Sequence, residues 1–223
     1  MNLKKSFLLL WLSHLFMDFF TGIWPIYKTI AQIDLVKAGI IAGISGFLGE
    51  FCQMGFGYFC DRGYRKKILL FGLLLASAIM WVTFVQGIFN FFILLLLLMI
   101  GSGSFHPAAV GFVGALAKEH KSKAILFFAS GGAIGFAISQ LVFSKMLLVF
   151  NGHAILFLIP VAIVFGLVAF HKFPPIATPP RELSLKAFLT PFLKCKKLLQ
   201  QLGLESRLRS RLKCLLLQRC VQS

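Results

Sequence analysis

Residues 91–109 read FFILLLLLMIGSGSFHPAA, and they decide what kind of protein this is. They sit inside a run, Ile68 to Ala117, that contains no Asp, Glu, Lys or Arg. A water-exposed helix needs a charged face, so a run that forgoes charge for this long is built for hydrocarbon. Yet its second half holds Gly101, Ser102, Gly103, Ser104, His106 and Pro107. Those residues weaken a helix or demand polar partners, and lipid supplies none.

The same texture extends over most of the chain. Of its 223 residues 58% are hydrophobic and only 13% charged, with a mean hydropathy of +0.87, too apolar for a soluble domain. Apolar blocks fall at 6–27, 38–60, 68–86, 91–117, 123–144 and 154–170. Each approaches the roughly 20 residues a helix needs to cross a bilayer. The expected fold is therefore an all-α membrane protein of six transmembrane helices. Polar, glycine-rich and featureless blocks follow one another in that order twice, which suggests two inverted three-helix repeats.

A net charge of +16 would suggest nucleic acid as partner in a soluble protein. Here the bases sort by side. With the N-terminus in the cytosol, only Lys28, Lys37 and Lys145 fall outside, as the positive-inside rule requires. Both termini are expected in the cytosol, the chain in the cell's inner membrane, and no nucleic acid as partner. The opening MNLKKSFLLLWLSHLF has no small-residue cleavage site, so a retained first span is expected. Cys52, Cys60, Cys195, Cys214 and Cys220 form no metal spacing, and no phosphate loop or catalytic triad appears. Neither enzyme activity, a metal nor a cofactor is expected.

Polar residues are placed sparingly. His14, Asp18, Thr21 and Pro25 share one helix face in the first block. Gly39, Gly43, Gly46, Glu50, Gln53 and Gly57 do so in the second, and Gly132, Gly135 and Ser139 in the fifth. Small residues let helices approach closely, so Gly39, Gly43, Gly46, Gly132 and Gly135 are expected at helix contacts. A carboxylate inside a bilayer costs at least a few kcal/mol. Asp18 and Glu50 therefore read either as proton-coupling groups, with His14 sharing the proton, or as polar clasps between helices. His106 and Pro107 read as a central binding site in a kinked helix, or as a tightly packed kink. In GYFCDRGYRKK, residues 57–67, Gly57 at the helix end, Asp61, Arg62 and Arg65 suggest a charge network that holds one conformation. Plain positive-inside topology explains the bases but not Asp61.

Gly57, Asp61 and Arg62, followed by further bases, resemble the signature loop of the major facilitator superfamily. SHLFMDFFTGIWP, GSGSFHPAA and GGAIGFA resemble its fosmidomycin-resistance branch over residues 8–172. The resemblance implies a proton-driven exporter of small molecules with twelve helices, in which His14, Asp18, His106, Pro107, Asp61 and Arg62 match motif positions. Three features depart from it. Gly63 stands one residue early, Ser139 and Gln140 replace an exporter's Gly-Pro, and six spans are present instead of twelve.

The domains expected are a six-helix half-transporter at 1–172, a proline-rich linker at 173–190 and a basic tail at 191–223. That tail reads either as an interfacial helix or as truncated or frameshifted sequence. The function expected is proton-coupled export of a small molecule or drug by an N-terminal half, powered by the proton gradient and completed by a second copy or a separate C-terminal half. The alternative is a non-transporting assembly protein whose tail binds anionic lipid or a cytosolic protein.

Overall fold

The computed structural model describes residues 3–117, 120–150 and 158–173, all within one compact unit, Met1–Pro180. The linker beyond Phe173 and the basic tail lie outside the described residues. Helix α1 (Leu3–Thr21) passes through Gly22 into α2 (Ile23–Ile30). Asp34 caps α3 (Leu35–Phe59) by accepting the Lys37 amide at 2.9 Å. A wide π turn, Cys60–Tyr64, leads to α4 (Arg65–Ser77) and a tighter 3₁₀ segment, Ala78–Phe84. Then come α5 (Ile88–Leu116), α6 (Lys121–Val149) and α7 (Leu158–Phe170).

Among the described residues, four stretches are long and apolar enough to cross a membrane: Leu3–Ile30, Leu35–Thr83, Ile88–Leu116 and Lys121–Val149. Leu158–Phe170 is apolar but shorter. Large apolar side chains such as Phe47, Phe51, Leu126, Leu141 and Leu148 face outward, a surface suited to lipid. The 49-residue stretch Leu35–Thr83 is not one rod. Gly63 takes φ of +92°, a region only glycine enters cheaply, and the chain reverses there. Along α5, Gly49 of α3 meets Met99 and Gly103, and Gln53 also approaches Gly103. On α4 the order inverts, because Arg65 meets Gly111 while Gly72 and Ala76 meet Gly101. Thus α3 runs parallel to α5 and α4 antiparallel to it, as the separate blocks at 38–60 and 68–86 suggest.

The second parallel pair is α1 with α6. Trp11 lies on Gly131, Leu15 on Gly135 and Gly22 on Ser139. The Trp11 indole N–H also donates to Ser130 Oγ at 3.1 Å. So a glycine-bearing helix lies against a polar helix twice, α6 on α1 and α3 on α5. Fully buried Phe19, Phe20, Phe105 and Phe143 fill the core of the bundle.

One expectation needs correction. A Cβ on Gly39, Gly43 or Gly46 would meet no atom within 4 Å, so no helix approaches these three closely among the described residues. The buried face of α3 is instead Ala38, Ile41, Ser45 and Gly49, one residue, or about 100°, around the helix. Gly132 and Gly135 do pack closely, joined by Gly49, Gly72, Gly101 and Gly103. Helix α5 continues through Pro107. The proline only deprives the Gly103 carbonyl, one turn back, of its helical donor.

The end of α7 is tied to three other helices. Lys66 Nζ donates to the carbonyls of Ala169 at 2.6 Å and His171 at 2.9 Å, a cation at a helix C-terminus. His171 Nε2 shares a 2.7 Å hydrogen bond with Ser6 Oγ, and Phe173 stacks on Phe112 at 4.4 Å. Burial, and then the charges of Lys5 and Lys66, hold the His171 imidazole below its usual range.

Gly49 and Gly43 provide a paired test of the α3–α5 contact. An alanine Cβ at 49 would stand 2.5 Å from the Met99 carbonyl oxygen and 2.7 Å from its carbon, both backbone atoms. Gly49→Ala should therefore destabilise by about 1–3 kcal/mol. Gly43→Ala should leave stability unchanged or slightly raised, since alanine favours the helix. Thermal unfolding in detergent measures both; equal melting temperatures would contradict this packing.

Candidate functional site

His14 and Asp18 lie one turn apart on α1, so their side chains stack along a single face. His106 reaches them from α5. His14 is buried, while Asp18 and His106 are half-buried. His14 Nε2 lies 3.3 Å from Asp18 Oδ2, and His106 Nε2 lies 3.9 Å from Asp18 Oδ1. The two imidazoles meet edge to face, with centroids 5.3 Å apart at 84°.

The far side of each ring fixes its proton. His14 Nδ1 lies 2.8 Å from the Phe128 carbonyl oxygen on α6. A carbonyl only accepts, so Nδ1 carries the hydrogen and donates it. His106 Nδ1 lies 2.8 Å from the Ser102 carbonyl one turn back, and the same reasoning applies. Ser102 Oγ also sits 3.2 Å from that nitrogen. Both Nε2 atoms are therefore left facing the Asp18 carboxylate. In a neutral imidazole of this tautomer, Nε2 is a lone pair. Lone pairs aimed at an anion are unfavourable, the more so for His14, which is buried. The arrangement is favourable when a cation stands between them, whether a proton or a metal ion.

Helix α6 closes the site. The Phe128 ring stacks on His14 at 4.1 Å and 13°, and Phe105 covers another side at 6.0 Å. Gly132 lies directly over the pair. A Cβ there would stand 2.6 Å from His14 Cε1 and Nε2 and would overlap Asp18 Oδ2. Only glycine lets α6 lie this close. Thr21 Oγ1 donates to the Asp18 backbone carbonyl at 2.8 Å, leaving the carboxylate to the histidines.

Of the residues singled out from sequence, His14, Asp18 and His106 come together, and half-buried Pro107 follows directly on α5. Glu50 does not join them. It is exposed on α3, with no hydrogen bond or ion pair among the described residues. Sequence reading missed the Phe128 and Ser102 carbonyls and the reason for Gly132. No sequence signal marks a backbone acceptor, although the Gly131-Gly132 pair in an apolar block marks a close approach.

The 57–67 loop forms a separate cluster. Arg65 is buried, and its Nη2 donates to Asp61 Oδ1 at 3.3 Å. Its guanidinium lies against Gly111, where a Cβ would stand 2.7 Å away, and among the described residues its Nε has no hydrogen-bond partner. Arg62 stacks on the Tyr58 ring at 4.1 Å.

His14, Asp18 and His106 are also the described residues able to hold a metal ion, their donor atoms lying within 4.8 Å of one another. Spacing along the chain gave no hint of metal, because the donors come from two helices far apart in sequence.

Comparison with known proteins bears on the whole chain. Neither the curated proteins nor the solved structures yield a match. The sequence pattern of the Major Facilitator Superfamily matches residues 6–218, nearly the entire length. With its lipid-facing apolar helices and a polar site among them, the chain belongs to the Major Facilitator Superfamily, a family of membrane transporters.

Proposed function

We propose that the chain is a proton-coupled exporter of a small molecule, in which Asp18, His14 and His106 carry the proton. One observation supports this above the others: a carboxylate at membrane depth faced by two imidazole Nε2 atoms from different helices. Such groups are costly in a membrane and mark ion or substrate paths. With the proton between His106 Nε2 and Asp18 Oδ1, α1 and α5 are drawn together. When it leaves, the bare carboxylate repels both Nε2 lone pairs, and the helices gain a reason to separate. Proton occupancy is thereby linked to helix position, as coupled transport requires.

The parallel pairing of α6 with α1 and of α3 with α5 supports a bundle of two inverted three-helix repeats with six crossings. In this reading the Arg65–Asp61 contact and the Lys66 cap on α7 hold one closed state at the cytosolic mouth, and the inner membrane is the site of action. The open face of α3, with Gly39, Gly43, Gly46 and Glu50, is poorly suited to lipid. A second six-helix bundle, from another copy or another chain, would cover it.

Replacing Asp18→Asn removes the titrating oxygen with little change of volume. Gradient-driven transport in proteoliposomes should vanish while expression and folding persist; undiminished transport would sink the proposal. Gly132→Ala tests the geometry. Its Cβ must displace His14 or Asp18, so transport should fall at least about tenfold, in line with the cost of misplacing catalytic geometry. Gly114→Ala, where a Cβ meets nothing within 4 Å, should transport normally. Equal rates for the two variants would contradict the placement of α6. A wild-type protein that folds in liposomes yet moves no solute would favour the assembly role instead.

A further inference from the structure

We propose that His14, Asp18 and His106 form a binding site for one divalent transition-metal ion of the zinc type. This uses the same side chains as the proton-coupling reading but rests on donor geometry alone, so either can fail without the other.

The first argument is the donor set. Two imidazole nitrogens and one carboxylate oxygen suit zinc, cobalt or nickel. Calcium and magnesium, which take oxygen ligands, are poorly matched. The second argument is spacing. Donors about 2.0–2.1 Å from a tetrahedral zinc stand about 3.4 Å from one another. His14 Nε2 stands 3.3 Å from Asp18 Oδ2 and His106 Nε2 3.9 Å from the other oxygen, Oδ1, and one donor atom from each residue lies within 4.8 Å of the others. Small side-chain rotations close the remainder, and Asp18 and His106 are half-buried, which leaves them room to turn.

Histidines that bind metal through one ring nitrogen characteristically donate the other N–H to a carbonyl or carboxylate, which orients the ring and raises its basicity. Both histidines do this, His14 to the Phe128 carbonyl and His106 to the Ser102 carbonyl, each at 2.8 Å. Both available Nε2 atoms then converge on one carboxylate. Three protein donors leave a fourth position open for water or a solute, as in sites that bind exchangeable ligands. A bound ion would bridge α1 to α5 and hold the bundle in the conformation seen here, so zinc should also slow transport.

The test uses the full chain purified in detergent, with Co²⁺ as an optical probe and Zn²⁺ followed by calorimetry. We expect one ion per chain and Co²⁺ bands of a four-coordinate nitrogen and oxygen site, without the thiolate band that Cys52, Cys60 or the tail cysteines would give. His106→Ala and Asp18→Asn should each weaken Zn²⁺ binding about 100-fold or more. His120→Ala, an exposed histidine outside the site, should bind as wild type does. His14→Ala is the weaker variant to rely on, because that ring also anchors α6 and its loss can disturb folding. Unchanged affinity in His106→Ala and Asp18→Asn, a thiolate spectrum, or no binding at millimolar Zn²⁺ would each overturn the proposal. If binding is absent yet Asp18→Asn still abolishes transport, the metal site is rejected and the proton reading stands.

Discussion

One juxtaposition organises this protein: the Asp18 carboxylate faces two imidazole Nε2 atoms, an arrangement that favours a cation between them. The Phe128 and Ser102 carbonyls claim both Nδ1–H groups and so turn both Nε2 atoms inward. Three helices are thereby enlisted to maintain one site. Helix α1 carries the acid and one base, α5 the other base, and α6 the carbonyl that aims the first. A carboxylate at this depth costs at least a few kcal/mol, so a bundle that retains it must gain from its presence. The gain proposed here is sensitivity to a bound cation.

Glycine makes the site physically attainable. Helix α6 reaches α1 only because Gly131, Gly132 and Gly135 present no side chain to Trp11, to the His14–Asp18 pair and to Leu15. Gly49 does the same for α3 against Met99 of α5. Within lipid there is little hydrophobic force between helices, so close van der Waals contact must supply the cohesion. The contacts that hold α6 on α1 also place the Phe128 carbonyl against His14 Nδ1. Stability and site geometry are therefore not separable here.

Much of this was legible in the sequence, for reasons that also explain what was not. Hydrocarbon selects composition so strongly that the apolar blocks match the helices, and α5, expected at 91–117, runs from Ile88 to Leu116. His14 and Asp18 read as neighbours because helix geometry relates residues four apart. His106 stood out as a lone imidazole in an uncharged run. That it meets Asp18 was not legible, since the meeting depends on how α1 lies against α5. On α3 the glycine stripe and the buried stripe differ by one residue, and periodicity alone cannot choose between adjacent faces. Glu50, one position beyond buried Gly49, fell on the open side for that reason. Gly63 was noticed as a departure in spacing, and its φ of +92° shows what the glycine does: it lets α3 and α4 fold back on one another.

The most direct measurement is the protonation pattern of the two rings. Nitrogen-15 NMR of histidine-labelled protein in a membrane mimetic, assigned through single His14 and His106 replacements, distinguishes a protonated ring nitrogen from a bare one. The account predicts that Nδ1 is protonated in both residues, whatever the state of Nε2. A bare Nδ1 with a protonated Nε2 in either ring would contradict it. Asp18 would then face an ordinary donor with no need of a cation.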